Sequence, residues 1–365
     1  MATNPRICYC TNIHAGEGWD ETFANLTSHL PVIKAAFSPT RSFPVGLRLS
    51  ERATRELDDD GAARFHDWCA AHGLFVPTLN GFPYGSFHRT IVKDQVYLPD
   101  WRSPERVAYT SRLADLLARW LPAGETGSIS TVPVGFKTHL RPGDEPLIRR
   151  NLLEVAAHLD RLRQASGREI VLSLEPEPGC LLETTEETVR FFEGLDLPGW
   201  ARELVGICYD CCHQAVAFEE PAESLALLTD AGIRIGKVQV SSAVRLTRPD
   251  RAALSRFAEP CYLHQVVIRH PDGTLVRHRD LAEALADPAA DGEWRVHFHV
   301  PVYLGDTATF GTTQPFLETF LPLLDPRILL EVETYTWQVL PEELQLRSVD
   351  ESIIRELRWV EALLL

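Results

Sequence analysis

The stretch VGICYDCCH, residues 205–213, decides how this chain folds. Its opening run is apolar, of strand length and free of helical periodicity, which suits a strand covered on both faces. It stops on Asp210, and His213 follows three residues later. An apolar strand that ends on a polar residue and gives way to helix-forming sequence is the repeating unit of a closed parallel barrel, whose chemistry sits at the carboxyl ends of the strands.

The same unit recurs on both sides. Strands are expected near 6–12, 45–50, 74–80, 127–133, 169–175, 205–210, 234–241 and 328–333. Helical patterns lie at 19–36, 51–72, 104–120, 145–166, 184–195, 214–230, 312–323 and 349–365. Eight strands, each followed by a helix, predict an α/β fold of the (β/α)₈ barrel type as one domain over residues 1–365. An open doubly wound sheet is less suited, because no Gly-rich phosphate turn follows the first strand. Ser50 and Thr184 or Thr185 stand where they can cap helices.

One stretch breaks the rhythm. Residues 243–304 are too long for a connection, and YLHQVVIRH and TLVRHRDL flank Pro271-Asp272-Gly273, a β-hairpin signal. RVHFHVPVY (295–303) reads as another extended segment, with His297 and His299 alternating on one face, and a hairpin insertion after the seventh strand, over the mouth of the barrel, is expected. A second long connection, 81–103, follows the third strand.

The net charge of −15 disfavours nucleic acid and anionic membrane surfaces as partners. No apolar run is long enough to span a bilayer, and residues 1–16 lack the pattern of a signal peptide, so a cytoplasmic location is expected. The eight cysteines form no C-x-x-C pair and are expected to be reduced, buried thiols. Oligomeric state is open between monomer and homodimer.

Polar residues at the strand ends form a set: Glu175 on the fifth, Asp210 and His213 after the sixth, Gln239 in the seventh, Glu331 and Glu333 in the eighth. Carboxylates, an imidazole and an amide oxygen are ligands for one divalent ion such as Mn²⁺, Mg²⁺, Co²⁺ or Zn²⁺. Four converging groups that would be costly to bury unpaired are accommodated by a cation. The expected metal ligands are Glu175, Asp210, Gln239 and Glu331.

At these residues the sequence resembles the xylose-isomerase-like barrels, a group of sugar isomerases and epimerases that also includes endonuclease IV. That family carries a Glu after the fifth strand, Asp-x-x-His after the sixth, His or Gln on the seventh and Glu on the eighth. Here those are Glu175, Asp210-Cys-Cys-His213, Gln239, and Glu331 or Glu333. Gln on the seventh strand is similar to hydroxypyruvate isomerase. The resemblance implies that the first and last Glu bind the metal and also exchange a proton with a substrate carbon. TNIHAGE (11–17), LNGFPYGSFH (79–88), LEPEPG (174–179), HFHVPVY (297–303) and LEVETYTW (330–337) further resemble the sugar-isomerase-like proteins of metabolite-traffic (ebo-type) gene clusters.

Both Glu175-x-Glu177 and Glu331-x-Glu333 offer carboxylates on one strand face; Glu175 and, by a narrow margin, Glu331 are preferred as ligands. Glu333 remains the alternative proton carrier. His14, Asn80, His213, His299, Lys137 and Arg48 are candidates to bind a small-molecule metabolite, although each has an ordinary structural reading as a cap, a core hydrogen bond or an ion-pair partner. The expected activity is isomerisation or epimerisation of a small sugar, polyol or cyclitol-like compound. A metal-dependent hydrolase or lyase, drawing on His14, His88, His213, His297 and His299, and a non-catalytic metabolite-binding protein are the rivals.

Overall fold

The computed structural model describes residues 6–88, 90–247 and 250–365. In chain order the strands are β1 (Ile7–Tyr9), β2 (Phe43–Arg48), β3 (Leu74–Asn80), β4 (Thr126–Thr131), β5 (Glu169–Leu174), β6 (Val205–Asp210), β7 (Ile235–Val240), β8 (Ser242–Leu246), β9 (Val266–Arg269), β10 (Leu275–His278), β11 (Glu293–Val300), β12 (Gly311–Thr312) and β13 (Leu330–Val332). The apolar runs thus become strands where the sequence placed them. β1–β7 and β13 pair in parallel in the order β1-β13-β7-β6-β5-β4-β3-β2. A parallel bridge between Cys10 and Gly46 joins the first and last of these and brings the ring to near closure. Their side chains are almost all buried, as expected when helices cover the outside and packed residues fill the inside.

Helix starts follow the capping signals. The Ser50 side chain accepts from the Ala53 N–H, and Thr184 forms a reciprocal capping box with Glu187. Two expected helices are broken in the structure. The 51–72 pattern splits into Glu51–Glu56 and Asp59–Ala71, because Asp58 leaves the helix and caps the second segment through the Gly61 N–H at 2.7 Å. The 214–230 pattern splits into Cys211–Val216 and Pro221–Asp230. Phe218 takes a left-handed φ of 61°, and Pro221 has no N–H with which to continue a helix.

The insertion is larger than a hairpin. β9 and β10 do form the expected pair, with Gly273 at φ 88° in the turn. They belong, however, to a five-stranded antiparallel sheet ordered β10-β9-β11-β8-β12. This sheet has its own apolar core, including Leu246, Phe257, Ile268, Trp294 and Phe298. The β11–β8 register shifts between Val296 and His299, an irregularity that falls on the two histidines.

Among the described residues no helix is long and apolar enough to cross a membrane. All eight cysteines are free, and seven are buried.

The C-terminal helix Val349–Leu364 buries one carboxyl, Glu356, which accepts from the Thr334 hydroxyl at 2.6 Å and the Val302 N–H at 3.1 Å. Burial pushes its pKa up to about 7. A raised carboxyl pKa favours folding while the group is neutral, and that contribution fades as pH rises through about 7. Ionising this carboxyl inside the fold costs on the order of 3 kcal/mol. Glu356→Gln is therefore expected to melt progressively higher relative to wild type as pH rises from about 4.5 to about 7, with a level difference above about pH 8. A wild-type-minus-variant difference that stays flat with pH would refute this role.

Candidate metal centre at the mouth of the barrel

Glu175 stands one residue beyond β5, Asp210 ends β6, and Glu333 stands one residue beyond β13. Each offers a carboxylate oxygen, and these three atoms lie within 4.8 Å of one another. All three residues are buried. Asp210 Oδ1 accepts from the His213 N–H at 2.9 Å and the Ser241 hydroxyl at 2.8 Å, which fixes the carboxylate and leaves Oδ2 without a partner. Glu175 Oε2 also lacks a partner. Glu333 Oε1 accepts from Asn12 Nδ2 at 2.7 Å and Asn80 Nδ2 at 3.3 Å.

Burial, and then Glu333 and Asp210, push the Glu175 carboxyl well above the usual carboxylate range. Burial, Asp210 and Glu331 do the same to Glu333, and burial raises Asp210. Three buried carboxyls that repel one another, two of them with an unpartnered oxygen, and that lie this close together are the donor set of a hard divalent cation, which removes the repulsion and satisfies the oxygens. The residues present fit such an ion.

The eighth-strand expectation is corrected here. Glu331 lies one pleat deeper than Glu333 and forms a fully buried ion pair with Lys237 of β7. Burial opposes the charge on Lys237, but Glu331, with Cys208, Cys10 and Glu175 adding to it, outweighs burial and holds the ammonium above its ordinary range. Gly46 makes room for this pair, since a Cβ at that position would fall within 1.7 Å of Glu331 Oε1. Gln239, opposite Glu331 in register, turns its amide nitrogen to the Glu331 side chain at 3.0 Å. Both expected ligands thus belong to a layer of side chains beneath the three carboxylates.

Three further expectations are corrected. Arg48 is buried with its guanidinium held by Gly16 O, Gly85 O and Glu17, so it braces the first loops. Lys137 pairs with Glu183 and Glu187. His14 bonds to the Tyr9 hydroxyl at 3.1 Å and stacks on His29, with ring centroids 4.1 Å apart. None of these three lines the cavity above the carboxylates, whereas Asn80 and His213 do.

That cavity, counted together with the part open to solvent, holds about 520 Å³ of empty space. Its floor carries Asn12, Asn80, Glu175 and Glu333; Phe82, Phe87, Tyr97, Tyr262 and Tyr335 supply aromatic walls. On one side stands a histidine group: His213 Nε2 lies 3.1 Å from His297 Nε2, which lies 3.3 Å from His299 Nε2. Burial lowers the pKa of His213 to about 3 and of His299 to about 4. Glu177 joins them: its Oε1 accepts from the Tyr97 hydroxyl at 2.6 Å, its Oε2 has no partner, and burial pushes its pKa up to about 8. Sequence reasoning set Glu177 aside in favour of Glu175 and did not single out Asn12 as a site residue. The i, i+2 spacing was the available signal for Glu177; Asn12 had none beyond following β1.

A sequence model of the family described as "Xylose isomerase-like TIM barrel" matches residues 42–308. A probable endonuclease 4 of Methanoculleus marisnigri is 26% identical over 199 residues, which span 50% of this chain and 66% of that relative. Among solved structures, a xylose isomerase-like TIM barrel protein from Mycobacterium smegmatis in complex with magnesium is similar with a TM-score of 0.56 at 14% identity, covering 99% of this chain and 96% of that one. The IolI protein with a bound zinc atom is similar with a TM-score of 0.53 at 13% identity, covering 98% of each chain.

Proposed function

The chain belongs to the xylose isomerase-like TIM barrels, and from that premise we propose a metal-dependent isomerase or epimerase of a small, neutral metabolite. The observation that carries this reading is the Glu175–Asp210–Glu333 group, with unpartnered oxygens on Glu175 and Asp210, at the base of the cavity. Glu175, Asp210 and Glu333 would hold the ion. A divalent ion there supplies positive charge that stabilises negative charge developing on substrate oxygens.

The chain's own residues do the rest. Glu175 and Glu333 come from strands separated by β6 and β7 in the barrel, so they face the cavity floor from different sides. Glu175 Oε2 takes a proton from the substrate carbon, and Glu333, oriented by Asn12 and Asn80, returns one. The aromatic walls exclude water and cover an apolar ring face. No Lys or Arg is among the described residues that line the cavity, and the neutral-substrate part of this proposal rests on that lining.

The test is deuterium exchange from heavy water into neutral ketoses, aldoses and ketone-bearing cyclitols, read by NMR, with phosphorylated counterparts alongside. Exchange is expected at carbons bearing hydroxyls next to a carbonyl. It should be lost in Glu175→Gln, and kcat/KM should be at least about tenfold lower for the phosphorylated compounds. Exchange confined to phosphorylated compounds would overturn the neutral-substrate reading. No exchange in any compound with metal-loaded protein would overturn the isomerase reading.

The histidine group favours one second reading, a metal-dependent hydrolase or lyase. The net charge of −15 counts against a nucleic-acid substrate for it. The narrower kinship with metabolite-traffic proteins, and a cytoplasmic location, we infer from the sequence alone.

A further inference from the structure

One face of the inserted sheet carries more positive charge than it neutralises. Arg295 of β11 stands directly opposite Arg245 of β8, and Glu293 of β11 stands opposite Arg269 of β9. Opposite residues share a face, and Glu293 lies two positions before Arg295, so these side chains are all on one side of the sheet. Glu293 is their shared partner. Its Oε1 accepts from Arg245 Nε at 3.0 Å and from Arg295 Nε at 2.9 Å, and its Oε2 accepts from Arg269 Nη2 at 3.0 Å. Among the described residues no other carboxylate pairs with any of these arginines. Three guanidinium groups on one carboxylate leave two positive charges unmatched, in a chain whose net charge is −15.

Like charges directly opposite one another on paired strands destabilise a sheet. Burial, and then the repulsion of Arg269 and Arg245, hold the Arg295 pKa below its ordinary range despite Glu293. Part of the arrangement is structural. Arg295 Nη1 donates to Ala215 O at 2.6 Å, and the guanidinium groups of Arg295 and Arg269 lie 3.9 Å and 4.6 Å from the centre of the Phe218 ring. Arg245 has no such second role. Beyond its Nε bond to Glu293, both its Nη atoms are without a hydrogen-bond partner among the described residues. Arg245 and Arg295 both line a groove that takes in Pro221, Thr313 and Phe316. Counted together with the part open to solvent, it holds about 600 Å³ of empty space. Glu219 and Glu220 also line it, but among the described residues neither pairs with an arginine, and Glu219 accepts from the Thr185 N–H at 3.4 Å.

We propose that Arg245 and Arg295 form a binding site in this groove for a small oxyanion, a phosphoryl or carboxylate group. A planar guanidinium offers paired N–H donors that match two oxygens of such an anion. The anion supplies the missing negative charge and turns an opposed pair into a clamp. The site is separate from the cavity at the barrel mouth, since neither arginine lines that cavity.

The test is isothermal calorimetry and thermal melting of the full-length protein as purified, with inorganic phosphate in one arm and succinate in the other, each against sodium chloride of equal ionic strength. About one equivalent is expected, with melting raised by about 2 °C near saturation. Binding of phosphate alone supports the site and makes its ligand a phosphoryl group; binding of succinate alone supports it and makes the ligand a carboxylate. Arg245→Gln should weaken binding at least tenfold, on the order of one lost charge-assisted pair. In chloride it should melt within about 2 °C of wild type, because Glu293 keeps two of its arginines. Arg295→Lys keeps the charge without the fork and should weaken binding as well. No heat and no melting rise from either anion beyond that of chloride would overturn the proposal. Binding that Arg245→Gln leaves unchanged would overturn it too. The wild-type titrations still decide whether an anion binds if a variant folds poorly.

Discussion

In Glu333→Gln the carboxylate site is expected to lose its divalent ion and turnover to fall by about 10³-fold or more, because one residue both holds charge and moves a proton. Glu331→Gln should behave in the opposite way. Its side chain faces Lys237 inside the barrel, one pleat below the cavity floor. Its loss should cost stability and, with the ion in excess, leave the metal content of the folded fraction near wild type. Plasma mass spectrometry on both variants, beside urea melts, separates the two roles. If Glu331→Gln lost the ion while its melt was unchanged, and Glu333→Gln kept it, the ligand would be Glu331 and the placement argued from the structure would be wrong.

This pair marks the boundary of what the sequence made legible. Strand LLEV carries Glu331 and its continuation carries Glu333, two residues apart and therefore on the same face. Period-2 reasoning says that both look into the barrel, but it does not say at which height. Height is set by register with neighbours: Glu331 lies opposite Cys8 on one side and Gln239 on the other, and Lys237 reaches it from β7. Lys237 is 94 residues away in the chain and Cys8 far more, so local pattern carries no trace of them. The barrel itself was readable because each strand is a short apolar run between helical stretches. Asp210 and Glu175 were readable because strand ends are where the fold exposes side chains to the cavity.

The insertion was half readable for the same kind of reason. The turn at Pro271-Asp272-Gly273 announced β9 and β10, and the extended HFHV stretch gave β11. β8 begins two residues after β7 ends, so SSAVRL reads as the tail of a barrel strand until its antiparallel partners are known. The histidines of β11 were visible as an alternating pair. Their meeting with His213 depends on a strand irregularity and on Gln265, neither of which is marked in the sequence.

Lys237→Met is expected to destabilise the fold by about 3–5 kcal/mol, the cost of leaving one member of a buried ion pair without its counter-charge. Glu331 would then sit in the barrel interior with no cation against it and with Glu333 and Gln239 close by. The double variant Lys237→Met/Glu331→Leu should recover most of that loss, because burying two apolar chains avoids the desolvation of both charges. Urea denaturation of wild type, both single variants and the double variant gives the coupling directly. Singles that each melt near wild type would mean that the pair carries no net buried charge. The same experiment bears on the site above. Lys237 is a fixed cation beneath the carboxylate group, and it lowers the pKa of both Glu175 and Glu333. With Glu331 neutralising Lys237 from below, the barrel interior holds a balanced pair, and the three upper carboxyls are left to a mobile cation. Removing both partners should therefore leave metal affinity within about tenfold of wild type, whereas removing Glu331 alone frees Lys237 to compete for Glu175 and Glu333 and should weaken it. A double variant that folds but binds no metal would show instead that the ion pair positions the ligands above it.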